Sequence, residues 1–533
     1  MEESRPSPSV PASTGLTWYF RLLGLILLAA PLGALIDPRM GNIRNFHILL
    51  TAITLVFILR RPAVRLRLPG RPGPLLLWLG FTSLIACIAC VLTHYLGLRL
   101  NGEDFSIFDW MLYNTNHREF MTTPICNMTR PPDVCHHFGV HPSWIMIPLA
   151  PLHRLLESPL FLQMIHALAV WSALVPGWLL ARRYLEDPLL CLLATAALLL
   201  NSFTGSLLNH GFHTEVFYLP LGLWFVHGWL SARPVQWLTA FVLFLLVKED
   251  AAFYTLSFAG GVLLFARERW RSATLILSLS ALILWFNLQV AQPWFLSQFE
   301  AVRPKYMRFW GHLGESPSAI LLTLLHHPLD AAGQILSSGW SWFFGLALFL
   351  PLCSRIPLLA MLPTIALFGL SNNPHMRGYA TYYPAALLPF FFWGWLEAWR
   401  NLQRIPLTAR RLLFAASFLC FSLAGGGYQK FPLPRPGTLT DLQQIRQDLA
   451  GHNGPLCVQT IFFPHLPYEW QLWPLQPGCM QQEGALGIAT GDPTYDPYPW
   501  QHTSLQALLA THDVRKVYPS GLTVFSRRDS GDQ

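Results

Sequence analysis

The chain has 533 residues, of which 53% are hydrophobic and only 12% charged, against roughly 25% charged in a soluble domain. With apolar runs recurring along most of its length, this balance excludes an ordinary soluble protein and points to a polytopic membrane protein. The formal charge of +8 gives no reason to expect a nucleic-acid partner, because the arginines fall in short clusters between apolar runs, as in cytoplasmic loops.

The first run, Trp18 to Ile36, is longer than the core of a signal peptide and contains Arg21, so it reads as a retained span. Spans are expected at about 17–36, 45–59, 74–98, 159–181, 188–207, 215–231 and 235–247. Further spans are expected at about 251–266, 272–292, 332–352, 356–370, 380–398 and 412–427, for about 13 in all. With the N-terminus inside, alternate loops hold the basic clusters: Arg60, Arg61, Arg65, Arg67 and Arg71, then Arg182 and Arg183. Arg267, Arg269 and Arg271 follow, then Arg400, Arg404, Arg410 and Arg411. That asymmetry sets the orientation, and an odd span count puts the C-terminus outside.

The expected architecture is therefore mainly α, a polytopic transmembrane helix bundle with a small C-terminal α/β soluble domain. Residues 1–100 carry the N-terminal transmembrane helices and 101–158 form an outside loop with interfacial helices. Residues 159–427 form the transmembrane core, with an outside loop at 293–331, and 428–533 form a periplasmic α/β domain. In that domain TLTDLQQIRQDLAGH reads as a helix with Thr440 and Gln443 at capping-box spacing and Gly451 as its stop. CVQTIFF reads as a buried strand, HTSLQALLATH as a second helix, and KVYP-SG-LTVFSR as a β-hairpin.

Five of the cysteines, Cys87, Cys90, Cys191, Cys353 and Cys420, lie in apolar runs and read as packing residues. The other four fall in outside segments and read as two disulfides, Cys126–Cys135 and Cys457–Cys479. Four unrelated thiols are the plain alternative.

Four constellations have chemical potential. Glu103, Asp104 and Asp109 follow directly on an apolar run; a helix from 104 to 112 would place Phe105, Phe108 and Leu112 in an apolar stripe at the membrane surface. A solvated interfacial loop is the alternative. His136, His137 and His141, with His210, His213 and Glu215, are placed on the outside face, where imidazoles serve as ligands or proton carriers. A divalent metal ion held by Asp104, His137 and His213 is one option, although the spacing matches no zinc-protease pattern. Lys248, Glu249 and Asp250 are flanked by LFLLV and AAFYTL; such charges are costly unless paired or wetted, so they mark either a polar cavity or a turn. Arg303, Lys305, Arg308 and Arg377, with Tyr306, Tyr379, Tyr382 and Tyr383, suit a lipid phosphate or ordinary headgroups.

The order of these motifs resembles a family of bacterial and archaeal predicted membrane proteins labelled a domain of unknown function. Its segments stand here as DFSIFDW (104–110), HFGVH (137–141), FHTE (212–215), KEDAAF (248–253) and YATYYPAALLPF (379–390). The resemblance covers roughly residues 100–400, with PHL at 464–466 as a candidate extension into the tail. Ser106 stands where the family often has Gly, and Trp110 where it often has Gln. That family is in turn similar to GT-C glycosyltransferases, which take sugar from a polyprenyl-phosphate-linked donor at the outer face of the membrane. The resemblance implies a GT-C-like bundle in a bacterial inner membrane. It implies Asp104 as the general base or a metal-binding acid, and Asp109 as its partner. Substrate would meet His137, His141, His213, Glu215, Lys248, Glu249, Asp250, Arg303, Lys305, Arg308, Arg377 and Tyr382, with the cations facing the phosphate leaving group. A transporter or flippase of a lipid or small solute, and a non-catalytic membrane assembly protein, are the alternatives.

Overall fold

Backbone N–H and C=O groups in a bilayer must bond within their own segment, which makes helices the outcome for these apolar runs. The computed structural model describes residues 13–36, 73–100, 102–125, 135–185, 188–298, 309–340, 347, 349–378 and 381–401, isolated residues between 406 and 420, and then 430–475, 477–492 and 512–527.

The first helices are α1 (Ser13–Ile36), α2 (Gly73–Leu96), α3 (Gly102–His117), α4 (Leu149–His153), α5 (Pro159–Ser172) and α6 (Leu174–Tyr184). After these come α7 (Pro188–Leu200), α8 (Ser202–Asn209), α9 (Tyr218–Leu230), α10 (Pro234–Leu245), α11 (Ala251–Phe265), α12 (Trp270–Phe286) and α13 (Gln292–Leu296). The last part of the chain carries α14 (Pro317–His326), α15 (Pro328–Leu336), α16 (Arg355–Gly369), α17 (Pro374–Arg377), α18 (Leu388–Asn401), α19 (Pro436–Asp448) and α20 (Pro477–Met480).

Among the described residues, 4 helical stretches are long and apolar enough to cross a membrane: Gly73–Leu96, Pro159–Tyr184, Leu190–Asn209 and Arg267–Leu296. This is fewer than the 13 or so full spans expected. Several expected spans are short helices, such as α10 with 12 residues, which rises about 18 Å against a hydrocarbon core of about 30 Å. The expected span 332–352 is not one helix: α15 ends at Leu336 and a 3₁₀ turn stands at Leu350–Cys353. Span 45–59 and most of 412–427 lie outside the described residues. Local chemistry accounts for one break. Asn201 interrupts the apolar stretch between α7 and α8 because its side chain accepts from the Phe203 and Thr204 amides while donating to the Leu198 carbonyl, forming an N-cap.

Helix α2 packs against α1 and α5, α9 against α10 and α18, and α11 against α12 and α16. The two ends of this bundle differ in chemistry. At the C-terminal ends of α6, α9 and α18, Arg269 donates to the Trp229 carbonyl and Arg400 lies over the Tyr184 ring. Tyr184 also accepts a hydrogen bond from the Trp393 indole, 2.7 Å. The opposite end gathers the acids, histidines and tyrosines of the expected site.

The tail folds around a 5-stranded sheet with order β4-β3-β5-β7-β6, in which β3 is Leu456–Val458, β4 Leu472–Pro474, β5 Leu486–Thr490, β6 His512–Val517 and β7 Leu522–Arg527. A separate ladder pairs β1 (Thr122–Thr123) with β2 (Cys135–His136). The β6–β7 hairpin turns at Gly521, whose φ of 85° suits the residue without a Cβ. Helix α19 begins at Pro436, before the expected cap at Thr440, because proline's fixed φ and missing N–H suit the first helical turn. Thr440 sits inside the helix and returns its hydroxyl to the Pro436 carbonyl. CVQTIFF contributes its first residues to β3 and then becomes a 3₁₀ segment, Thr460–His465, containing Pro464. The expected helix HTSLQALLATH lies outside the described residues except for His512, which begins β6. Cys457 and Cys479 form a disulfide. Cys135 is disulfide-bonded, and its expected partner Cys126 lies outside the described residues.

Candidate functional site

The chain leaves α2 through Gly97 and Leu98, the latter with φ 53°, a left-handed conformation rare for a bulky residue. A Cβ on Gly97 would lie 2.7 Å from the Thr93 carbonyl oxygen. This tight reversal starts α3 at once and places Asp104 in its first turn, where the helix dipole favours a carboxylate.

His213 comes from the other side of the site. Helix α8 ends at Asn209, and Gly211 takes φ 80° in a left-handed exit. His213 then stands ahead of a 3₁₀ turn, Thr214–Phe217. Its Nδ1 lies 3.2 Å from the Gly211 carbonyl and its Nε2 3.3 Å from Asp104 Oδ2. The Gly211 carbonyl and an ionised Asp104 are both acceptors, which an imidazolium with hydrogen on both ring nitrogens satisfies. Burial works against that charge, but the hydrogen bond and charge of Asp104, and the charge of Glu215, hold the His213 pKa above the usual imidazole value. The Tyr382 ring stacks on His213 at 3.9 Å between centroids, a favourable seat for a cationic ring. The Asp104 side chain keeps 30% exposure while that of His213 keeps 4%, so the pair has a wet carboxylate and a dry cation.

Lys248, Glu249 and Asp250 occupy the turn between α10 and α11 and take three different partners. Lys248 Nζ bonds Glu215 Oε1 at 2.8 Å. Glu249 Oε1 bonds His141 Nδ1 at 2.7 Å. Asp250 accepts the hydroxyls of Tyr218 and Tyr254. Burial would raise the Glu215 carboxyl, but Lys248 and His213 hold it down to about 2. Burial would lower the Lys248 ammonium, but Glu215, Asp250 and Glu249 raise it above its ordinary value. Both members of that pair are charged. Burial pushes Asp250 up to about 6, against the pull of Lys248, with Glu249 adding to the rise.

The structure thus brings together Asp104, His213, Glu215, Lys248 and Tyr382, with His141, Glu249 and Asp250 alongside. Other expected site residues fall elsewhere. Asp109 does not meet Asp104: five residues turn a helix by about 140° beyond a full turn, which sends it to the opposite side of α3. There its Oδ2 accepts the Tyr468 hydroxyl from the tail at 2.8 Å. Helix α3 is not an amphipathic surface helix either, since every residue from 105 to 113 is buried. His137 is turned toward Phe108 and His141, and Phe108 lies edge-on to both the His137 and His213 rings. No group of three His, Cys, Asp or Glu side chains among the described residues is arranged to hold a metal ion, so Asp104, His137 and His213 do not form the three-ligand site considered from sequence. Arg377 binds the Gln334 carbonyl and the Ser337 hydroxyl, joining α17 to α15. Arg303, Lys305 and Arg308 lie outside the described residues.

Two tail residues that bond to α3 and to the end of α8 carried no sequence signal of their own. Tyr468 follows closely on the PHL segment, and Lys430 fixes its amide to the Asn209 side chain at 3.0 Å, one residue from His210. Their partners are hundreds of residues away in the chain, beyond the reach of local pattern.

A bundle of apolar helices with a charged, hydrogen-bonded layer at one end and a small sheet domain beside it defines a polytopic membrane protein. The chain belongs to the family described as "Predicted membrane protein (DUF2079)", whose model matches residues 93–426; this is the kind of family its motif order indicated. No curated protein matches it. Among solved structures, it is similar to ArnT from Cupriavidus metallidurans bound to undecaprenyl phosphate, at 12% identity over 87% of this chain and 100% of that one, with a TM-score of 0.49. The same protein in the apo state matches at 12% identity over 85% and 99% of the two chains, with a TM-score of 0.47. Likeness at that level adds nothing to the argument about chemistry, which rests on the side chains.

Proposed function

We propose that the chain is a GT-C-like membrane glycosyltransferase that moves a sugar from a polyprenyl-phosphate-linked donor to an acceptor hydroxyl at the outer face of a bacterial inner membrane, with its C-terminal domain on the periplasmic side. The observation that supports this most directly is the Asp104–His213 pair: a part-exposed carboxylate at a membrane exit, held by a buried imidazolium. An acceptor hydroxyl is a poor nucleophile until its proton is taken. Asp104 takes that proton as the hydroxyl oxygen attacks the anomeric carbon. The bond from that carbon to the phosphate oxygen breaks, and the phosphate leaves with the electron pair. His213 keeps Asp104 ionised and ready, and Tyr382 fixes the plane of the imidazole. Lys248 has a smaller part than its charge implies, because Glu215 already engages it.

The test is to incubate purified protein in lipid with radiolabelled polyprenyl-phosphate sugars and to follow release of the sugar from its carrier. Wild type should turn over, and Asp104→Asn should be slower by about 10²–10⁴, the usual weight of a general base. Equal turnover in wild type and Asp104→Asn would remove Asp104 from the chemistry, and no turnover with any donor would return the protein to the transporter or assembly readings.

A further inference from the structure

The second carboxylate of α3 lies in a seam that the proposed reaction does not use. Asp109 is 1% exposed. Its Oδ2 accepts the Tyr468 hydroxyl, while its Oδ1 has no hydrogen-bond partner among the described residues. His153, at the end of α4, brings its Nε2 to 4.0 Å from that oxygen, and neither of its ring nitrogens has a hydrogen-bond partner among the described residues. Ser106, one turn earlier on the same face of α3, is in the same condition.

Tyr468 is the point at which the C-terminal domain holds this helix. Its ring stacks on Tyr113 at 4.4 Å and meets Trp110 edge-on at 5.3 Å. Its carbonyl accepts from Arg118 at 3.1 Å. Nearby, Tyr95 of α2 stacks on His465 and donates to the Pro464 carbonyl. The groups facing Asp109 are therefore Tyr95 from α2, Tyr113 from its own helix, His153 from α4, and Tyr468 and His465 from the tail, with Arg118 at the rim. The exposed pair His117–Glu157 lies further out.

We propose that Tyr468 is a positioning residue for the candidate site: by gripping Asp109 it fixes the rotation of α3, and so where Asp104 meets His213, in a seam whose burial is least costly when Asp109 carries a proton. The proposal rests on the reading of Asp104 given above. The physical reason is the poverty of donors. A buried carboxylate with one hydrogen bond is costly, and His153, at 4.0 Å, is too far to supply a second. Burial raises the Asp109 carboxyl to about 7, against the pull of the Tyr468 hydrogen bond, and lowers His153 to about 4, so the neutral pair is the form the seam favours. The linkage sign follows. Docked Asp109 keeps its proton up to about pH 7, while undocked it would release it near its ordinary value of about 3.9. Rising pH therefore removes the Asp109 contribution to the grip between those two values, while His153 and His465, held neutral by burial, contribute in the opposite direction below about 6.5.

The test is amide hydrogen exchange on the full-length protein in lipid nanodiscs, corrected for intrinsic rate, from about pH 5 to about pH 8. The ratio of protection in wild type to that in Asp109→Asn, over residues 105–113 and 460–468, should fall by up to about tenfold per pH unit toward pH 7 and then level off, because the histidine contributions are common to both. Tyr468→Phe should lower protection at every pH and, in the sugar-transfer assay, lower kcat with little change in KM. A ratio that does not respond to pH, or unchanged protection in Tyr468→Phe, overturns the proposal. Exchange is read without substrate, so failure of the glycosyltransferase reading would appear separately, as absent turnover beside an intact exchange pattern.

Discussion

The two ends of α3 carry the same side chain in opposite circumstances. Asp104 faces a cation and water; Asp109 faces a phenol, a neutral imidazole and the underside of another domain. The first arrangement stabilises a charge that can act on a ligand. The second makes charge expensive and ties a carboxyl to packing. Proximity in sequence gave both acids one role, and their separation around the helix gives them two.

The sharpest way to break this comparison is to remove each carboxylate in turn. Asp104→Asn should cost turnover about 10²–10⁴, while Asp109→Asn at pH 7 should stay within about tenfold of wild type, because an amide keeps the Tyr468 contact without a buried charge. Equal losses in a transfer assay, or in complementation of a deletion strain, would erase the distinction. Next comes the layer that supports the wet end. Lys248→Met leaves Glu215 buried and unpaired and should destabilise the protein by about 3–5 kcal/mol, whereas Lys248→Met with Glu215→Leu should recover most of that loss. Unfolding in detergent, followed by circular dichroism, reads both.

A smaller effect separates the two regions by pH. The His213 pKa is raised, so its pairing with Asp104 contributes fully below the ordinary imidazole value of about 6.5 and is lost as pH rises through the higher folded value. Loss of the Asp109 proton weakens docking on the way up to about 7, while His153, lowered by burial, works the other way below about 6.5. His213→Gln should abolish the upper dependence, on the order of 1 kcal/mol per pKa unit, and leave the lower one. Thermal unfolding across about pH 5 to about pH 9 distinguishes them.

Much of the wet site was legible because each motif is local and each ends an apolar run. DFSIFD, FHTE and KED were all placed on one side of the membrane, and the bundle brings them to one end. The β-hairpin was legible for the same reason, since Gly521 announces its own turn. What sequence pattern missed depends on distance. The Asp109–Tyr468 bond joins residues 359 apart, and no local period reports that a tail will cover α3. The apolar stripe of Phe105, Phe108 and Leu112 suggested a surface helix; the stronger signal was that between 105 and 113 the polar side chains are few, as in a helix buried all round. The cap placed at Thr440 failed because Pro436, four residues earlier, starts the helix.

The turn at Lys248–Asp250 also constrains how the protein can move. Its three consecutive side chains are lashed to Glu215, to His141, and to Tyr218 with Tyr254. Those partners lie in the 3₁₀ turn before α9, in the loop before α4, and on α9 and α11 themselves. A carrier that alternated access by rocking α9 away from α11 would have to break these links together on each cycle, and a broken buried ion pair alone costs about 3–5 kcal/mol. The turn acts as a rivet: it favours a bundle that stays still while its ligands come and go at one face.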